Sequence, residues 1–255
     1  MAAPKPPKKE KAALRLAQEI VQAMYENGMR PGDRYFSETD ALRRHGVARA
    51  TLREALRFLE MQGVITVRAG PGGGSMVGRP GWPNLASMLA LLLQFDQAPL
   101  KHVLEARKVI EPGIAELAAR NATPEEVASM AADLEEIEAH LGDFRRFAEI
   151  YHRFWCTFAA STHNSVLALL SPALRALINS TGFAPNEVYR TELLGRMRKL
   201  HKAIAAQDAK AARSIMADIQ DEFFNRIAQG YPRQLNRLMA WSDLDAASQH
   251  LTQQP

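Results

Sequence analysis

The stretch SETDALRRHGVARATLREALR, residues 37–57, decides how the rest of the chain is read. Residues 38–45 carry a short polar helix pattern, Gly46 and Val47 interrupt it, and a second helix pattern runs from Arg49 to Met61. Two short helices around a Gly-containing break of about 3–4 residues form a helix-turn-helix, whose second helix can enter the DNA major groove. The leading residues of that second helix, Arg49, Thr51 and Arg53, are hydrogen-bond donors where base edges or phosphates would lie. Ser37 reads as the N-cap of the first helix, with the acid Asp40 three residues on as in a capping box.

The flanks fit that core. Upstream, Ala13, Leu14, Ala17, Ile20, Val21 and Met24 recur at helical spacing over residues 9–27, Gly28 is a stop signal, and Arg30-Pro31-Gly32-Asp33 has turn chemistry. Within the second helix, Leu52, Ala55, Leu56 and Leu59 form the inward stripe, leaving Arg49, Ala50, Arg53 and Arg57 on the other side. Downstream, Val64-Ile65-Thr66-Val67 is a β-branched strand, residues 68–74 are a glycine-dense turn, and residues 75–78 return as a second strand. A helix-turn-helix followed by a β-hairpin is a winged helix. The glycines do not make a phosphate-cradling nucleotide loop, because the Lys-Ser/Thr ending and the strand-to-helix context are missing.

Charge is distributed in the same sense. The chain is +4 overall, but residues 1–80 hold 14 Lys/Arg against 8 Asp/Glu, a net of +6, and the remainder is −2. A basic N-terminal part suits a polyanionic partner. Residues 1–8, rich in Pro and Lys, read as a solvated tail or as an arm that touches phosphate. With 47% hydrophobic residues the 255-residue chain can fill packed cores. Cys156 is the only cysteine, so no intrachain disulfide forms, and a reducing cytoplasm fits. No secretory leader is recognised, and the longest apolar run, residues 85–93, is half of what a membrane span needs.

Residues 79–84 contain the breakers of a linker, Pro80, Gly81 and Pro83. Past it only helix patterns appear, over residues 84–95, 99–121, 124–141, 143–161, 164–180, 185–207 and 208–229, with a weaker tail over 232–248. Thr123-Pro124-Glu125-Glu126 is an N-cap with Pro at N1 and acids in the first turn, and Asp208 caps the helix that follows it. Pro112 and Pro172 are expected to kink or break their helices. The expected architecture is mainly α: a winged helix-turn-helix domain over residues 9–78, a linker over 79–84, and an antiparallel bundle of about seven helices over 85–248, able to enclose a cavity.

These residues resemble the GntR family of bacterial transcription regulators. The resemblance is carried by Pro31-Gly32, Ser37-Glu38, the run from Gly46 to Leu56 (GVARATLREAL), and Gly63-Val64-Ile65. The helical half is similar to the ligand-sensing FCD domain of the FadR subfamily, through Arg107 with Glu111, Tyr151-His152, Asn164, Ala203-Ile204, Asp208 and Ala212. The resemblance implies a homodimer on a palindromic double-stranded DNA operator, with an effector bound inside the helical domain. It places DNA contacts on Arg49, Thr51 and Arg53, with Ser37, Thr39, Arg68 and the wing residue Gly70 beside them. Thr39 and Ala48 depart from the family's usual Arg and Ser/Thr, so the operator sequence does not carry over. It places the effector site around Arg107, Glu111, Tyr151, His152, Met197 and Ile219.

Many members of that subfamily hold a metal through an Asp and three His. Here those positions are Ala148, His152, Met197 and Ile219, with Glu149 and His201 as poorly placed substitutes, so no bound metal and no cofactor are expected. Fatty-acid-responsive members also lack the metal, which makes an acyl-CoA or another carboxylate or lipid metabolite the expected effector class. Arg107 is the expected anion anchor, its alternative being an intrahelical pair with Glu111. His152 is equally a site residue or a satisfied core histidine. Among Phe144, Phe147, Tyr151, Phe154, Trp155 and Phe158, core filling is the first reading for any single ring. The expected function is an effector-responsive repressor with phosphate contacts from Arg15, Arg34, Arg44, Arg57 and Arg68, and not an enzyme. The alternatives are a winged-helix adaptor, or an accessory domain on a helical enzyme, for which no nucleophile–base or paired-carboxylate motif is present.

Overall fold

The structure, a computed structural model, describes residues 8–35, 38–68 and 74–244. It divides into two compact units, Met1–Asn84 and Leu85–Pro255. The expected cap at Ser37, the wing tip at Gly70 and the tail at residues 1–7 lie outside the described residues, as does the side chain of Arg68.

The first unit contains α1 (Lys8–Glu26), α2 (Glu38–His45), α3 (Arg49–Met61) and an antiparallel hairpin of β1 (Ile65–Arg68) and β2 (Gly74–Val77). Gly46 turns the chain between α2 and α3 at φ +61°, a left-handed conformation glycine adopts without strain. The core joins Leu16, Ala17, Ile20 and Met24 of α1 to Leu52, Ala55 and Leu59 of α3 and to Ile65 and Val77 of the hairpin. Each fully buried aliphatic side chain of this kind contributes roughly 1.5–3 kcal/mol. The buried face of α1 differs from the expected one. Leu16 is buried, whereas Leu14 and Val21 are 46% and 41% exposed. At about 100° per residue, positions 13, 16, 17, 20 and 24 share one arc, and 14 and 21 fall at its edge.

The turn before α2 also pairs with the wing. Gly32 N donates to Val77 O (2.8 Å), Val77 N to Asp33 O (2.8 Å) and Tyr35 N to Ser75 O (2.8 Å). Tyr35 is thereby drawn into the core at 2% exposure. At the far end of the hairpin Gly78 N donates to Val64 O (2.7 Å), and a Cβ on Gly78 would stand 2.3 Å from the Gly63 carbonyl oxygen. That closure requires glycine.

The second unit is helical: α4 (Trp82–Phe95), α5 (Leu100–Asn121), α6 (Pro124–Ala139), α7 (Phe144–Ala160), α8 (Ser165–Asn179), α9 (Glu187–Ala205), α10 (Ala209–Gly230) and the short α11 (Pro232–Leu235). α4 begins inside the expected linker, and the boundary between the units falls within it. The caps read from the sequence are formed. Thr123 and Glu126 make a reciprocal capping box on α6, and Asp208 Oδ1 accepts from Ala211 N (2.9 Å) on α10. α5 and α8 run unbroken through Pro112 and Pro172, contrary to the expected interruptions. Both prolines are buried, so packing offsets the cost of the lost backbone bond.

The tail also departs from expectation. After α11 the chain forms an isolated bridge between Leu238 and Pro99, with Leu100 N donating to Arg237 O (2.9 Å) and Met239 N to Ala98 O (3.0 Å). Those long-range backbone bonds replace the helical ones that a continuous tail helix would make. The bundle core is built on Phe154, Trp155 and Phe158 of α7, each at most 1% exposed and meeting edge to face. Small residues of α5 (Ala115, Ala118 and Ala119) line the same core.

Candidate functional site

On the first unit, α3 turns Leu52, Ala55 and Leu59 inward and leaves Arg49, Ala50, Arg53 and Arg57 exposed, with Thr51 half-buried. Its N-cap is Ala48, which offers no side-chain acceptor to the first turn. The positive end of the helix therefore lies beside Arg49, where a phosphate is favoured. Thr39, on α2, is exposed, as are Arg15, Arg34 and Arg44.

On the second unit, α5, α7, α8, α9 and α10 surround a cavity of about 210 Å³. Its wall is largely aromatic: Phe144, Phe147 and Tyr151 from α7, Phe183 from the loop after α8, Tyr189 from α9 and Phe223 from α10. Phe147 and Tyr151 stack with centroids 5.4 Å apart. Arg107 of α5 and Arg175 of α8 supply the charge on that wall.

Both arginines serve one carboxylate. Glu111, fully buried one turn beyond Arg107, accepts at Oε1 from Arg107 Nε (3.3 Å) and Ser171 Oγ (3.0 Å), and at Oε2 from Arg175 Nη2 (2.9 Å). Burial pushes the Glu111 carboxyl up, but Arg175, Arg107 and the Ser171 hydroxyl more than offset it and hold it below its ordinary value. Burial and the neighbouring Arg175 charge together lower Arg107 to about 10, with Glu111 opposing them. Two guanidiniums share one carboxylate, which leaves an excess positive charge in an apolar site. Arg175 lies over the indole of Trp155, its guanidinium carbon 3.8 Å from the ring centroid, and its buried Nε has no hydrogen-bond partner among the described residues.

Residues 102–222 match the FCD domain family. An HTH-type transcriptional regulator of Mycobacterium tuberculosis is 30% identical over 211 residues, covering 81% of this chain and 86% of its own. The chain belongs to the GntR family of transcriptional regulators with an FCD domain. The Uxu operon transcriptional regulator of Escherichia coli is 31% identical, covering 73% of this chain and 75% of its own. The galactonate operon transcriptional repressor of Escherichia coli is 28% identical, covering 80% and 90%. Streptococcus agalactiae GntR shares the fold, with a TM-score of 0.66 at 22% identity over 84% of this chain and 99% of that one. This GntR-family chain is thus a DNA-binding transcriptional regulator and not an enzyme.

The FCD domain distributes the sequence-derived site residues unevenly. Arg107 and Tyr151 line the cavity, and Glu111 holds both of its arginines. Met197 and Ile219 sit in the bundle core at 0% and 6% exposure, apart from the cavity wall. His152 packs beside Cys156, Nε2 to Sγ 3.3 Å, and burial followed by the Arg175 charge lowers its pKa. Asn164 caps α8, and Asp208 caps α10. The positions that would hold a metal by resemblance offer a methyl at Ala148, one imidazole at His152, a thioether at Met197 and an alkyl chain at Ile219. That donor set does not fit a metal, and among the described residues no group of three His, Cys, Asp or Glu gathers to hold one. The substitutes are engaged elsewhere: Glu149 pairs with Arg145 and Arg146, and His201 meets the Val127 carbonyl at 2.9 Å. Arg175 and Ser171 were not singled out from the sequence. The available signal was a charged side chain inside the otherwise apolar run SVLALLSPALRALIN.

Proposed function

We propose that this regulator is an effector-gated repressor. It acts in the cytoplasm as a homodimer on a palindromic operator, and releases DNA when a small anionic metabolite enters the FCD cavity. The observation that carries the effector half is the Arg107–Glu111–Arg175 cluster, which opens an excess of buried positive charge onto an aromatic cavity. The observation that supports the DNA half is the exposed edge of α3, where Arg49 and Arg53 stand beside Thr51. In this reading Arg49, Thr51 and Arg53 meet bases and phosphates. Ser37, Thr39, Arg68 and Gly70 flank them, and Arg15, Arg34, Arg44 and Arg57 add phosphate contacts.

Two recognition helices in a dimer must match half-sites on one face of the duplex. An effector that binds better to a dimer with the wrong spacing weakens DNA binding by linkage. Ligand pockets ordinarily enclose about 300–1,000 Å³. A cavity of about 210 Å³ therefore favours a compact carboxylate over an acyl-CoA. A relative named for the galactonate operon is consistent with an acid as the signal. A FadR-type helical domain belongs to the same proposal; of the residues that carry that resemblance, Arg107 and Glu111 form the cavity cluster. The test is a gel-shift titration on the upstream region of the protein's own operon. A specific, salt-sensitive shift that small organic acids relieve is expected; no specific shift at low salt would defeat the proposal.

A further inference from the structure

We propose that the Arg175 guanidinium is the fixed cation of the cavity. The cavity then takes a compact monocarboxylate with an apolar body, its carboxylate on Arg175 and Arg107. This rests on the reading that the cavity is an effector site.

Four observations carry it. The first is charge. Excess positive charge in an apolar interior is costly, and an anion that joins it lowers that cost. Here Arg107 and Arg175, with side chains 5% and 6% exposed, share one carboxylate among the described residues, Glu111. A third guanidinium, Arg190, is also buried, packed on the rings of Phe144 and Phe147 at 5.8 and 5.5 Å, with no carboxylate partner among the described residues. The second is donor capacity. Arg175 lines the cavity, its Nη2 holds Glu111, and its buried Nε has no hydrogen-bond partner among the described residues, so the guanidinium is not saturated by Glu111. The third is rigidity. Trp155 lies beneath the Arg175 guanidinium, and Ser171 holds the carboxylate that anchors it, so the cation is positioned before any ligand arrives. The fourth is the wall. Away from the arginines the lining is rings with Ile178 and Leu193, a surface for an alkyl or aryl body.

The experiment uses the full chain, stripped with a chelator and re-purified. Phenylacetate, hexanoate and the neutral isostere phenylacetamide are titrated by calorimetry, with and without added Zn²⁺ or Mn²⁺. The stripped protein should bind at least one of the acids, and added metal should change that affinity by less than about twofold. The amide should bind at least about thirtyfold more weakly, the loss expected when a buried charge pair loses one partner. Arg175→Gln should abolish acid binding, and Arg175→Lys should restore part of it. Glu111→Gln should tighten acid binding about tenfold, because it removes the internal competitor for both guanidiniums. A merely structural cluster would lose stability in Glu111→Gln without that gain. Should Arg175→Gln fail to fold, the amide comparison and Glu111→Gln still decide. Acid binding that appears only with metal, equal binding of the amide, or no gain in Glu111→Gln would overturn the role of Arg175. Failure of both acids would overturn the ligand class, while the regulator reading is judged separately by operator binding.

Discussion

At the scale of single residues, the buried cluster behaves as one unit. Glu111→Ala leaves Arg107 and Arg175 buried without their shared carboxylate, so urea unfolding should show a loss of about 3–5 kcal/mol. A loss below 1 kcal/mol would mean that the arginines escape to water. Arg49, exposed on α3, tests the other end of the molecule. Arg49→Ala should weaken operator binding by about 1–3 kcal/mol in gel shifts and leave thermal stability within about 0.5 kcal/mol. Unchanged operator affinity would remove it from the interface. Cys156 offers a check on the interior: burial pushes its thiol up to about 11, against a smaller opposing effect of Arg175. The thiolate is the reactive form, so thiol reagents at pH 8 should label it only after unfolding. The Arg107–Glu111 pair was legible because its partners are one helical turn apart. Arg175 was not, because its bond to Glu111 spans 64 positions of sequence.

At the scale of elements, the helix ends were the most legible feature, since a cap is decided by neighbours in the chain. Thr123→Ala removes one half of the α6 capping box and should lower stability by about 1 kcal/mol, read as a reduced urea midpoint with an unchanged slope. The wing is less local. Gly78→Ala would force a Cβ onto the Gly63 carbonyl, so it should destabilise the first unit by more than Thr123→Ala does the second. The faces of helices were legible only in part. On α1 the sequence offers Leu14 and Val21 as readily as Leu16, and packing against α3 and the hairpin selects Leu16. On α7, periodicity marks the aromatic run but not its division of labour. Phe154, Trp155 and Phe158 fill the core, Phe144 and Tyr151 face the cavity, and Phe147, 2% exposed, belongs to both.

At the scale of the whole molecule, charge separates the two units, with a net of +6 in residues 1–80 and −2 in the remainder. Operator affinity should therefore fall steeply with salt, by about 0.9 log units per log of salt for each phosphate neutralised. A nearly flat dependence would argue against Arg15, Arg34, Arg44 and Arg57 as phosphate contacts. The sequence by itself determined the helix-turn-helix, its wing, the capped helices of the bundle and the family, because each depends on residues within a turn or two of one another. Only the tertiary structure brought α5 and α8 together, set two guanidiniums on one buried carboxylate and turned three of six aromatic rings into a cavity wall. Those are juxtapositions of distant segments. A linear pattern records which residues can be buried, but not which other buried residue each will meet.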